Sequence, residues 1–271
     1  MAVSLGVRLG DGFSARCKRL IGHPAGTRRV VLYYHAVSAG QRARFARQMD
    51  ELLRLAQPLC AEALDARDPA RNGCAVTFDD GFESVAANAL PELERRGIPV
   101  TLFVPTGCLG GRPSWITNPS AAAYRETVMS ERQLVSLRNR PLVSIGSHTV
   151  SHPRLPGLND DALAREMCRS KADLEAILGR EVDLLSFPHG AFDERVLAMA
   201  RQAGYRRGFS IAPTCVSDST DAFVVGRVAA NPEDSLMEFR AKLLGAWRWL
   251  ARRGDPGETG RVLRPRLETA A

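Results

Sequence analysis

The chain has 271 residues, enough to bury a large core, and a single α/β barrel domain commonly takes about 200 to 250 residues. The formal net charge is +7, but the positive residues are nearly all arginines spread over most of the predicted helices. A nucleic-acid footprint needs basic residues clustered on one face with aromatics between them, so nucleic acid is excluded as a partner. Six cysteines at irregular intervals form no CxxC pair and read as reduced thiols.

From the N-terminus, Arg8, Asp11 and Arg16 interrupt the apolar stretch that a secretory signal needs, and no run reaches the roughly 18 apolar residues of a membrane span. The expected location is therefore cytoplasmic. Residues 1–28 read as an N-terminal extension. A buried strand is predicted over 30–34, ending at His35, followed by a helix over 42–57 with Phe45, Met49, Leu52, Leu53 and Ala56 at helical spacing. The next strand, 74–78, closes on Asp79, Asp80 and Gly81; a helix over 84–96 stops at Gly97, and 100–104 is again a strand.

The glycines, prolines and Trp115 of residues 105–127 predict a long irregular loop, and Ser130 with Gln133 opens a short helix as a capping box. Further strands are expected at 142–146, which delivers His148, and at 184–187, 207–211 and 223–228. Helices are expected at 160–178, ended by Gly179, and at 193–203, ended by Gly204. Strands alternating with helices predict a parallel α/β architecture, closed or partly closed, with functional groups after the carboxyl ends of the strands. The segment 241–253 (AKLLGAWRWLARR), within a C-terminal region of 232–271, is a basic amphipathic helix with Trp247 and Trp249. It is expected to pack on the barrel, with peripheral contact to the inner membrane surface as the alternative.

Two adjacent carboxylates after a buried strand resist joint ionisation unless a cation compensates them, although an Asp-Asp-Gly alone is equally a turn. His148 and His152, spaced by four, can aim at one ion. One carboxylate and two imidazoles leave coordination positions open, which suits a catalytic zinc or a similar transition ion.

The ordered segments Thr77-Phe78-Asp79-Asp80-Gly81, His148-Thr149-Val150-Ser151-His152 and Ser186-Phe187-Pro188-His189-Gly190 together resemble the polysaccharide deacetylase family, the NodB-homology domain of carbohydrate esterase family 4. The resemblance covers 29–231. It implies a distorted (β/α) barrel that removes N-acetyl groups from N-acetylhexosamine sugars. Asp79 would be the catalytic base, and Asp80, His148 and His152 would hold a divalent metal, zinc first, with cobalt or nickel as substitutes.

Family members commonly carry an arginine two residues before the motif proline, where it orients the base, and a tyrosine after it; here these positions are Ser186 and His189. A late Leu-x-x-His that supplies the general acid is also missing. A branch of the family begins instead with Tyr-His-x-Val, matched by Tyr34-His35-Ala36-Val37, which makes His35 the substitute acid and His189 the alternative. Pro188, Gly190 and Trp115 are the expected substrate contacts. The expected partner is an acetylated amino-sugar glycan or a lipid-linked precursor. Rival readings are an O-acetyl esterase or lipid-linked sugar deacylase using the same site, and a catalytically degenerate carbohydrate-binding protein. Oligomeric state is not legible in the sequence.

Overall fold

The computed structural model describes residues 28–64, 72–216 and 223–246. Its centre is one sheet of nine strands: β1 (Arg29–Tyr34), β2 (Gln57–Leu59), β3 (Gly73–Phe78), β4 (Val100–Val104), β5 (Val143–Ser147), β6 (Leu184–Ser186), β7 (Arg207–Phe209), β8 (Val224–Val225) and β9 (Val228–Ala229). They run in the order β8-β7-β6-β5-β4-β3-β1-β9, with β2 also paired to β3, and every strand pairing is parallel. Parallel strands need crossovers, and helices supply most of them: α1 (Arg42–Leu55), α2 (Leu90–Glu94), α3 (Glu131–Leu137), α4 (Asp160–Ala164) running on into α5 (Ser170–Leu178), and α6 (Glu194–Gln202). The result is the expected distorted (β/α) barrel.

Period two along each strand sorts its side chains to two sides. Val30, Leu32 and Tyr34 of β1, with Cys74, Val76 and Phe78 of β3, belong to the large apolar cluster that includes Phe45, Met49 and Leu52 of α1. The alternate residues Val31 and Ala75 instead join Phe103, Leu184, Phe209 and Val225 in a smaller cluster. Asp79 continues the Ala75-Thr77 parity, so the sequence sends its carboxylate to the same side as that smaller cluster.

The two ends of the sheet path, β8 and β9, are consecutive in sequence, joined only by Gly226 and Arg227. Residues 223–228, expected as one strand, are thus two short strands on opposite edges, and the dipeptide between them is the seam where the curled sheet meets itself. A Cβ on Gly226 would run into Thr214 Oγ1 and the Ala212 carbonyl, so the seam requires glycine.

The capping box at Ser130 and Gln133 is present, and the helix after residue 160 ends on Gly179 in the left-handed region, φ 66°. Two expected helices each contain a π-helical turn, Val85–Ala89 and Arg165–Arg169. Near the C-terminus a helix, α7 (Leu236–Leu243), starts on the cap Ser235 and gives way to a turn at Leu244 to Ala246, earlier than the expected helix over 241–253. Its Phe239, Ala241 and Leu243 are buried, and Arg240 pairs with Glu51 of α1. Trp247, Trp249 and most of both expected terminal extensions lie outside the described residues. Of the described cysteines, Cys74 is buried, Cys60, Cys108 and Cys215 are half-buried and Cys168 is exposed.

Candidate active site

Because all strand pairings are parallel, the residues after the strand ends share one rim. β1 and β3 pair Tyr34 with Phe78, so His35 and Asp79 leave the sheet side by side, and the Asp79 N–H donates to the Tyr34 carbonyl at 2.9 Å. β5 delivers His148 and β6 leads into Pro188 and His189. Four of the five histidines of the chain thus gather on one rim.

Asp79 is buried, and both of its oxygens are taken by one side chain that the motifs do not contain. Arg227, 0% exposed, donates from Nη1 to Asp79 Oδ1 at 2.7 Å and from Nη2 to Oδ2 at 2.8 Å. The same guanidinium donates to Ser186 Oγ at 2.8 Å, Thr77 Oγ1 at 3.2 Å and the Ser210 carbonyl at 3.1 Å, and lies 4.8 Å from the Tyr33 ring centroid. Each N–H of the guanidinium thus has an acceptor and its face has an aromatic ring, as burial of this group requires. Burial alone would raise the Asp79 pKa; the charge of Arg227, with that of His148 and the paired hydrogen bonds, overcomes it and holds the carboxyl well below the usual range. Ser186, where an arginine was expected, therefore accepts from an arginine that arrives through the barrel seam. The sequence signal was available: an arginine in the apolar run 223–228 is costly unless a carboxylate awaits it.

Asp80, His148 and His152 form the second cluster. Their ligand atoms lie within 4.8 Å of one another, with Asp80 Oδ1 at 3.7 Å from His148 Nε2 and 3.6 Å from His152 Nε2. Asp80 Oδ1 is buried without a hydrogen-bond partner, which is costly in a protein interior unless a cation sits there. Burial, then the Asp79 charge, raises the Asp80 pKa well above the ordinary value, the response of a second buried carboxylate lacking a counter-ion. Burial lowers the His148 pKa to about 4 and that of His152, with the neighbouring His148 and His189 adding to it, to about 2. Both imidazoles are therefore neutral near pH 7, as metal ligands must be. The His148 Nδ1 lies 2.8 Å from the Ser186 carbonyl, an arrangement that places the proton on Nδ1 and leaves the Nε2 lone pair toward Asp80. These residues fit a divalent transition ion.

Around them, Trp115 stacks on the His152 ring at 4.6 Å between centroids and 21° between planes, and His189 meets the same ring edge-on at 4.6 Å. Burial, then the Arg154 charge, lowers the His189 pKa. His35 is exposed at the rim; desolvation by the surrounding protein lowers its pKa, Asp79 opposing and Arg227 assisting. Pro188 is buried, and Gly190, φ 63°, packs its backbone against Ile211. Among the described residues, the non-glycine positions with positive φ are Asp80, Thr149, His152 and His189, all at this site. Each costs on the order of 1 kcal/mol, strain that persists where the surroundings dictate the geometry.

The profile of the polysaccharide deacetylases matches residues 66–208. The Bacillus subtilis (strain 168) protein YxkH is 25% identical over 222 residues, 78% of this chain and 74% of its own length. Poly-beta-1,6-N-acetyl-D-glucosamine N-deacetylase of Staphylococcus aureus (strain COL) is 20% identical over 166 residues, 58% of this chain and 54% of that protein. Among solved structures, the Streptococcus pyogenes deacetylase PplD (TM-score 0.67, 21% identity, 81% of this chain and 99% of that one) shares the fold. So does IcaB from Ammonifex degensii (TM-score 0.66, 24% identity, 82% and 97%). Fold and motifs together define a hydrolase that acts on acylated carbohydrate. The chain belongs to the polysaccharide deacetylase family.

Proposed function

We propose that the protein is a metal-dependent carbohydrate N-deacetylase, holding its ion on Asp80, His148 and His152. The observation that carries this reading is the orphaned Asp80 Oδ1 facing two neutral imidazoles, beside an Asp79 kept ionised by Arg227. When bound, a zinc, cobalt or nickel ion supplies Lewis acidity to the amide carbonyl and to the attacking water. Asp79 accepts the proton of that water, and the backbone N–H of His189 donates to the oxyanion of the tetrahedral intermediate. His35, emerging beside Asp79, takes over the proton that Asp79 has accepted and passes it to the departing nitrogen, giving acetate and a free amino sugar. An amine leaves far less readily than an alcohol, so a histidine available as proton donor supports N- over O-deacetylation.

Trp115, Pro188 and Gly190 complete the sugar side of the site in this reading, Trp115 being half-buried against His152. The substrate class is an acetylated amino-sugar glycan or its lipid-linked precursor; the Staphylococcus aureus relative is named for poly-β-1,6-N-acetyl-D-glucosamine. The degenerate, purely carbohydrate-binding reading rested on the arginine missing at Ser186 and on the missing late histidine; the bidentate pair of Arg227 with Asp79 answers the first, and His35 answers the second in this reading.

Metal titration of chelator-stripped protein tests the division of roles. Asp79→Asn should bind one zinc as wild type does and lose turnover by about 10²- to 10⁴-fold, whereas His148→Ala should lose both. Retained turnover in Asp79→Asn would remove that residue from the role of base.

A further inference from the structure

The loop between His148 and His152 is backbone-strained: Thr149 and His152 both sit in the left-handed region, φ 67° and 60°, without being glycine. Within the loop the His152 N–H donates to Thr149 Oγ1 at 3.2 Å, and contacts from outside can hold the rest of that shape. Glu166, in the π-helical turn Arg165–Arg169, is placed to do so. Its Oε2 accepts from the backbone N–H of Val150 at 2.8 Å and of Ser151 at 2.9 Å, and its Oε1 accepts from Ser151 Oγ at 2.6 Å. One carboxylate thus takes three donors from two consecutive residues of the five-residue segment that carries both histidines.

The same helical run holds the loop and its neighbour at two more points. Ser170 Oγ lies 2.8 Å from Ser147 Oγ, which accepts the Thr149 N–H at 3.1 Å. Asp173 Oδ2 accepts from Thr106 Oγ1 at 3.1 Å, and the N–H groups of Thr106 and Gly107 donate to the Thr149 and Val150 carbonyls at 3.1 and 2.8 Å. Positions 166, 170 and 173 recur at helical spacing, so one helix face grips the histidine loop and the start of the loop that carries Trp115. A π turn adds a residue to the helical repeat and re-aims the side chains around it; such turns are frequent at functional sites.

We infer that Glu166 is a positioning residue for the ion, fixing the backbone between His148 and His152 so that both Nε2 atoms face Asp80. The inference rests on the metal-binding reading above. Neither Val150 nor Ser151 is a ligand in that reading, and Glu166 acts through hydrogen bonds to the loop rather than through its charge. Removing such an outer support commonly weakens metal binding about 10- to 100-fold.

The test is the zinc dissociation constant of the whole chain, measured by competition with a chromophoric chelator, for wild type, Glu166→Ala and Glu166→Gln, alongside the melting temperature of each metal-free form. Glu166→Ala should bind zinc about 10- to 100-fold more weakly with a metal-free melting temperature close to wild type. Glu166→Gln keeps an oxygen for the two amides and an NH₂ group for the Ser151 hydroxyl, and should recover most of the affinity. Unchanged affinity in Glu166→Ala would overturn the inference and leave the metal site standing. A loss in Glu166→Gln as large as in Glu166→Ala would overturn it in favour of a charge effect. Wild type that binds no zinc would overturn both the inference and the reading beneath it. Should Glu166→Ala not fold, Ser151→Ala, which removes only the hydroxyl contact at an exposed position, decides the matter. A roughly two- to five-fold loss is then expected, and an unchanged constant overturns the inference.

Discussion

Arg227 and Asp79 each make the other's burial tolerable. A guanidinium with 0% exposure needs an anion, and a carboxylate at the floor of the site needs a cation to stay ionised. In Arg227→Met the guanidinium is gone, burial becomes the main influence on Asp79, and its pKa rises. The acid limb of the pH profile of kcat/KM should move toward neutral pH, and activity at neutral pH should fall by at least about ten-fold. The same substitution should cost about 3 to 5 kcal/mol of stability at pH 7, the usual consequence of leaving one buried charge alone. The sign comes from a depressed folded-state pKa. Asp79 stabilises the fold above the ordinary carboxylate range, and that contribution is lost as pH falls toward its lowered value, so the penalty in Arg227→Met shrinks in acid. Chemical denaturation at pH 7 and at the low end of the carboxylate range checks this; an unmoved acid limb would show that Asp79 does not depend on its arginine.

At the level of elements, the barrel seam decides whether Arg227 can reach Asp79 at all. Gly226 lies against Thr214 Oγ1 and the Ala212 carbonyl, with no room for a Cβ. Gly226→Ala should destabilise the fold by about 1 to 3 kcal/mol through overpacking, read as a lowered denaturant midpoint, and should also reduce activity because the neighbouring guanidinium shifts. Wild-type stability in this variant would mean that the seam is looser than described. This region also shows where the sequence was hard to read. The strands at 74–78 and 100–104 stand out as apolar runs with β-branched and aromatic residues, and their bounds agree within a residue with Gly73–Phe78 and Val100–Val104. The run 223–228 has the same composition yet divides into β8 and β9, because closure of a curled sheet is a tertiary event that leaves no periodic trace. β2 was missed for a different reason: it is three residues long and contains Pro58, which argues against a strand. The π turn around Glu166 is invisible because one extra residue in a helical repeat falls within the tolerance of any pattern.

Taken whole, the molecule places all of its described non-glycine left-handed residues, its orphaned Asp80 oxygen and four of its five histidines at a single rim of one barrel. The motif residues of that rim were legible because parallel strands all deliver their next residues to the same edge. Arg227 was not, since the resemblance places an orienting arginine at position 186, whereas the guanidinium reaches Ser186 from the seam between β8 and β9. The contact thus depends on a fold that brings residues 79, 186 and 227 into hydrogen-bond range. The direct test of the account is acetate release from N-acetylglucosamine oligomers and lipid-linked N-acetylhexosamine, using protein stripped by a chelator and then reloaded with zinc or cobalt. The account predicts release that is absent in the stripped protein, restored by the ion, and absent again in reloaded Asp79→Asn. Release that continues undiminished after stripping, or that survives in Asp79→Asn, would contradict it.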